Sequence, residues 1–271
     1  MTRRSGLGHA LASLRGSPVE AIPPSSTVAY APRRRGIAPL ADIYVPVEPH
    51  GASVVLVHGG GFVIGSRRMK PMRFLAARLF AAGIAVCAID YRMIFRGGRL
   101  EEAVDDVRAA LAYWRATAAS HGLDEARISL VGLSAGGSLA MLVAATEAPG
   151  SIASLACCFG VYEWDGLRGA AALLPRLLLR TADRAAWRDR SPRQSAVAVP
   201  TLLLHGDADG LVSVEQARAV AADRARRGLP TRLVVYPDAP HGFFNVPGAV
   251  ADAATRELVA HVDAARVVPP S

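Results

Sequence analysis

The chain has 271 residues, 51% of them hydrophobic, with a formal net charge of +8. That length suits one large α/β domain, and Leu, Val and Ala spread throughout can supply its core. No run of about 18 uncharged apolar residues occurs, which argues against a membrane-spanning helix and stable membrane insertion.

The charge invites a nucleic-acid reading, but its pattern does not support one. Nearly all the basic residues are arginines (Lys70 is the only lysine), scattered over helix faces. The densest runs are Arg33–Arg35 and Arg224–Arg227, and no aromatic residues alternate with them to form a stacking groove. A solvated basic surface is the expectation. Met1–Gly16 carries Arg3 and Arg4 before a mildly apolar stretch, like a weak export signal, but His9, Ser13 and Arg15 interrupt it. It reads as a short amphipathic helix or a frayed end. Cys87, Cys157 and Cys158 lie inside apolar runs and read as buried thiols, in keeping with a reducing, cytoplasmic location.

Along the chain, short β-branched runs alternate with helical stretches, the pattern of a mostly parallel sheet flanked by helices. Thr27–Tyr30 and Leu40–Val45 read as leading edge strands. Ser53–Val57, Ile84–Ile89, Ile128–Val131, Leu155–Phe159, Thr201–Leu204 and Arg232–Tyr236 follow as strands. Several of these are apolar throughout, as strands covered on both faces are. Helices are predicted over 71–82, 101–120, 135–147, 213–227 and 248–265, with Gly83 and Gly228 just past two helix ends. Residues 162–193 break the rhythm and read as a cap-like insertion over the active face of a single domain spanning 1–271.

Chemistry-bearing motifs fall after successive strands. His58-Gly59-Gly60-Gly61-Phe62 follows the third strand, and such a glycine run can present bare backbone N–H groups to an oxyanion. Gly132-Leu133-Ser134-Ala135-Gly136 matches G-x-S-x-G at a strand-to-helix turn, where small neighbours let the serine stand exposed. Serine needs a base to take its proton, and that imidazole needs a carboxylate to orient it. In the chain order Ser, acid, His, the base is His241, in Pro240-His241-Gly242 after the last strand. The acid lies in His205-Gly206-Asp207-Ala208-Asp209, where either aspartate could serve. The other would then be a turn residue bonding its own backbone. His9, His50, His121, His205 and His261 read as structural or exposed. No zinc, P-loop or dinucleotide motif is present, so no cofactor is expected.

With these motifs the chain resembles the hormone-sensitive-lipase-like branch of the α/β-hydrolases and its smaller esterase cousins. The likeness runs from about Ile43 to Val262 through His58–Gly65, Asp90-Tyr91-Arg92, Gly132–Gly137, His205–Val212 and His241–Phe244. It implies the α/β-hydrolase fold, oxyanion donors at the amides of Gly60, Gly61 and Ala135, and Asp209 as the acid of H-G-x-x-D-x-x-V. Asp90-Tyr91-Arg92 would be scaffold behind the oxyanion loop. Leu133 stands where lipase-like members carry an acidic residue, and Met93–Gly98 replaces their Pro-rich stretch. Both point to a reduced cap and a small, permissive carboxylesterase. Hydrolysis of a small-molecule ester through an acyl-enzyme is the expected activity. Amide or formamide cleavage and acyl transfer are alternatives on the same residues, and a non-catalytic binding protein is the rival class. Phe62, Trp164 and Phe243 are candidate pocket walls, each equally suited to plain core, and oligomeric state, a homodimer included, is left open.

Overall fold

The computed structural model describes residues 21–33, 36–148 and 150–266. The leader-like segment Met1–Gly16 and Arg34–Arg35 of the basic run lie outside the described residues.

Among the described residues eight strands form one sheet: β1 (Ser26–Ala29), β2 (Leu40–Tyr44), β3 (Ser53–Val57), β4 (Ala85–Ile89), β5 (Ile128–Leu133), β6 (Ser154–Cys158), β7 (Thr201–Gly206) and β8 (Thr231–Tyr236). Their order is β1-β2-β4-β3-β5-β6-β7-β8. The two pairings that involve β2 are antiparallel, and the rest are parallel. The helices are α1 (Lys70–Ala81), α2 (Leu100–Thr117), α3 (Ala135–Ala144), α4 (Leu173–Leu179), α5 (Arg184–Asp189), α6 (Val214–Arg226) and α7 (Ala249–Asp263). Among the described residues, no helix is long and apolar enough to cross a membrane.

The period-2 alternation of strand side chains explains the two cores. Val55, Val57, Cys87, Ile89 and Leu130 face one way and pack with Val107, Trp114 and Leu139 of α2 and α3. Val54, Leu56, Val86, Ala88 and Val131 face the other and pack with Leu75, Leu79, Leu258 and Val262 of α1 and α7. Burial on both faces is why the central strands are continuously apolar. All three cysteines are free and buried.

The expected elements are present, with shifts at their ends. β5 runs two residues further than the β-branched run, because Gly132 and Leu133 still pair with Cys157 and Cys158. The 101–120 helix stops at Thr117, and a 3-10 turn over Ala119–His121 then ends at Gly122 in left-handed backbone. Within 162–193 the structure has a 3-10 turn at Gly169–Ala172, then α4 and α5. α5 was not anticipated, although Asp183 caps it by accepting from the Ala185 amide at 2.9 Å.

β3 is flanked by β4 on one side and β5 on the other, so the sheet changes winding direction there. The loops leaving the carboxyl ends of β3 and β5 diverge at that point and leave a crevice, the usual ligand position in an open α/β sheet. His58–Gly61 and Ser134 occupy those two loops.

Candidate active site

Ser134 sits between β5 and α3 with φ 51° and ψ −117°, a strained backbone for a non-glycine residue. Its neighbours permit the bend. A Cβ at Gly132 would stand 2.2 Å from the Gly136 carbonyl oxygen, and one at Gly136 would stand 2.3 Å from that of Val57. The Ser134 amide is held by the Cys158 carbonyl at 2.9 Å. The hydroxyl is thus presented at the positive end of α3.

His241 arrives from the loop after β8. Its Nδ1 lies 2.7 Å from Asp209 Oδ2, and its Nε2 lies 3.0 Å from Ser134 Oγ. A carboxylate can only accept, so Nδ1 carries the proton and Nε2 is left with a lone pair for the serine hydroxyl. Burial raises the Asp209 carboxyl pKa, but hydrogen bonding from His205 and His241 outweighs it and keeps the group below the usual carboxylate range. Asp209 is therefore ionised where His241 needs a partner.

The two aspartates after β7 divide their work differently from the expected pattern. Asp209 forms the local turn itself, with Oδ1 accepting from the amides of Leu211 and Val212 at 2.9 and 2.8 Å. Its other oxygen is left for His241. Asp207 does not bond its own turn, because its Oδ1 reaches across to the Asp238 amide at 2.7 Å. It ties the β7 loop to the loop that carries His241.

The glycine loop folds back tightly. Gly60 has φ 112°, a Cβ there would lie 1.8 Å from the Ile64 carbonyl oxygen, and its own carbonyl accepts from Val63 and Ile64 at 3.1 Å. The amides of Gly60, Gly61 and Ala135 have no backbone acceptor among the described residues. His58, fully buried, stacks on Tyr91 with centroids 4.3 Å apart and donates from Nδ1 to the Gly59 carbonyl at 2.7 Å. Burial pushes its pKa down, so the ring is a neutral brace. Behind it, Tyr91 donates to the His58 carbonyl at 3.1 Å. Asp90 accepts from the Arg67 amide at 2.7 Å and pairs with its guanidinium, and Arg92 pairs with Asp106 at 2.8 Å. Asp90-Tyr91-Arg92 thus sits where scaffold was expected.

A cavity of about 820 Å³ opens over Ser134. Gly59–Gly61, Leu133, Phe159, His241 and Asn245 line its base, with Ile64, Met69, Pro71, Leu167, Ala171, Leu174 and Leu211 around them. Leu167, Ala171 and Leu174 come from the 162–193 segment. The three aromatics expected as walls are not among the lining residues. Phe62 and Trp164 pack edge to face at 6.4 Å, and Phe243 packs on Phe159 at 5.1 Å. All three are at least 96% buried, their rings packed against other aromatic rings rather than against the cavity. The aromatic at the site is Phe159, whose ring lies edge-on to His241 at 5.1 Å. As the last residue of an apolar run it carried no signal that its φ of 43° would swing it out of the strand. Among the described residues, no cluster of three His, Cys, Asp or Glu side chains could hold a metal ion.

Comparison with known proteins agrees with this fold. Residues 41–155 match the BD-FAE family. The chain is 32% identical to "Esterase LipC" of Mycobacterium tuberculosis over 252 residues, which covers 81% of this chain but only 62% of LipC. It is 30% identical to "Ethyl acetate hydrolase" of Pseudomonas putida, with 79% of this chain and 72% of that protein covered. The butyrate-bound esterase Est2 of Thermogutta terrifontis superposes with a TM-score of 0.73 at 25% identity, over 92% of this chain and 97% of that one. By these likenesses, on this fold, the chain belongs to the esterases of the α/β-hydrolase fold.

Proposed function

We propose that this protein hydrolyses small, uncharged carboxylic esters through an acyl-enzyme on Ser134. The observation that carries the reading is the unbroken line from Asp209 Oδ2 to His241 Nδ1 at 2.7 Å and from His241 Nε2 to Ser134 Oγ at 3.0 Å. Ser134 Oγ attacks the ester carbon while its proton passes to His241 Nε2, and Asp209 stabilises the imidazolium that forms. The amides of Gly60, Gly61 and Ala135 receive the charge that develops on the carbonyl oxygen. Collapse breaks the bond to the alcohol oxygen, which leaves with the proton from His241. Water, activated by His241, then releases the acid and restores Ser134.

The cavity supports an uncharged substrate. Despite the basic chain, its only ionisable lining residues among the described residues are Asp207, Asp209 and His241, and most of the rest are apolar. A short acyl group is consistent with the name of the ethyl acetate hydrolase relative and with the propionate and butyrate bound to Est2.

The test is the hydrolysis of p-nitrophenyl esters of rising acyl length by wild type and Ser134→Ala, with fluorophosphonate labelling of both. Wild type should be active and labelled, whereas the variant should lose at least about 10³-fold in kcat and all label. An unlabelled, inactive wild type, or a fully active Ser134→Ala, would refute the proposal. Anilide and N-formyl substrates, and added alcohol as acyl acceptor, run beside it to separate ester hydrolysis from amide cleavage and transfer.

A further inference from the structure

Asp209 has a second imidazole neighbour that the proposed reaction does not use. His205, the last residue but one of β7, is fully buried, as is the Asp209 side chain. Its Nε2 lies 3.0 Å from the Val212 carbonyl oxygen and 3.1 Å from Asp209 Oδ2, the same oxygen that receives His241. Both neighbours are acceptors, so Nε2 carries the ring's proton. Nδ1 is buried without a partner among the described residues, so the ring is held polar-wise by its Nε2 edge alone.

The contacts close into a ring. Val212 N–H donates to Asp209 Oδ1, the Val212 carbonyl accepts from His205, and the same His205 edge meets Asp209 Oδ2. The carboxylate is therefore braced at both oxygens, from the strand end as well as from its own turn. A carboxylate free to rotate about its Cβ–Cγ bond would carry Oδ2 away from His241 Nδ1, and a small misplacement of reacting groups is costly.

We propose that His205 is a positioning residue of this centre. Its Nε2–H fixes the rotation of the Asp209 carboxylate and shares the negative charge of Oδ2, which sets how strongly that oxygen polarises His241. The proposal rests on the reading of Ser134, His241 and Asp209 given above. A merely structural buried histidine would contribute packing alone, and its loss would cost folded protein without altering the chemistry of the molecules that remain folded.

The experiment compares His205→Gln, which can place an N–H near the Nε2 position, with His205→Leu and His205→Asn, which cannot. Rates are taken per mole of fluorophosphonate-titrated sites, with thermal midpoints recorded for each variant. In His205→Leu, kcat for p-nitrophenyl butyrate should fall about ten-fold with KM changed by less than about two-fold. The acid limb of its kcat/KM profile should move to higher pH by about half a unit, because Oδ2 then gives its charge to His241 undivided. His205→Gln should restore most of both. If His205→Leu does not fold, the same contrast is read between His205→Gln and His205→Asn. A folded donor-less variant with wild-type kcat per site, or an acid limb that stays put or moves down, overturns the positioning role. A Ser134→Ala control that stays active overturns the underlying reading instead, so the two failures are distinguishable.

Discussion

Gly136 lies directly against the carbonyl of Val57: a Cβ at 136 would come within 2.3 Å of that oxygen and 2.5 Å of the His58 carbonyl. The turn that carries Ser134 is thereby pressed against the end of β3, where the glycine loop begins. Both obstacles are backbone, so neither can rotate aside. Gly136→Ala should destabilise the protein by about 3 kcal/mol, lowering the thermal midpoint by roughly 6–12 °C. Gly166→Ala, where an added Cβ meets nothing within 4 Å, is the matched control and should shift it by less than about 2 °C. Differential scanning calorimetry of the two variants checks the contrast.

The acid loop makes a sharper distinction. Asp209→Asn removes the charge that orients His241 and should lower kcat by about 10³- to 10⁴-fold. Asp207→Asn keeps an oxygen to accept from the Asp238 amide, so kcat should stay within about three-fold of wild type. Asp207→Ala loses that tie between the two loops and should cost about ten-fold. Steady-state kinetics on one ester, with all three variants shown to be folded, decides it.

Acid stability should report on the charges behind the glycine loop, where Arg67, the partner of Asp90, also lies 2.9 Å from Asp42 Oδ1. Asp42 is buried, which raises its pKa, but hydrogen bonds from Arg68, Thr27 and Arg67 prevail and lower it to about 2. A folded pKa below the unfolded value contributes stability that is complete above the unfolded pKa of about 4. That contribution fades as pH falls towards 2 and the carboxylate is protonated. Asp42→Asn should lose roughly 2 kcal/mol at pH 7 and show a flatter decline of stability between pH 4 and 2. Urea titrations across that range would show parallel declines if Asp42 contributed nothing.

The cavity wall from the 162–193 segment should govern acyl size. Leu174 lines the cavity but takes no part in the hydrogen-bonded line of Ser134, His241 and Asp209. Leu174→Ala should leave p-nitrophenyl acetate hydrolysis within about two-fold and change kcat/KM for hexanoate by about 3- to 10-fold through lost apolar contact. Equal effects on both esters would place the acyl chain elsewhere.

The order of the elements, the sheet class and the loops that carry Ser134, Asp209 and His241 were legible in the sequence. They depend on local chemistry: β-branched runs, strand-to-helix turns, and glycine and polar residues gathered where strands end. The choice of Asp209 came from the family likeness, because Asp207 and Asp209 have the same side chain in the same loop. Only the fold separates them, since the turn over Leu211 and Val212 takes one oxygen of Asp209 and turns the other to His241. Which aromatic meets the cavity was equally hidden. Phe62, Trp164 and Phe243 pair with other rings in the interior, while Phe159 is swung to His241 by a single positive φ at the end of β6. The second imidazole beside Asp209 was not legible either, for His205 looks like any histidine at a strand end until β7 and its loop close on it. Sequence by itself determined which chemical groups the chain carries and in what order. The tertiary structure alone decided which of them share a proton, because that turns on distances of about 3 Å between residues up to 107 positions apart.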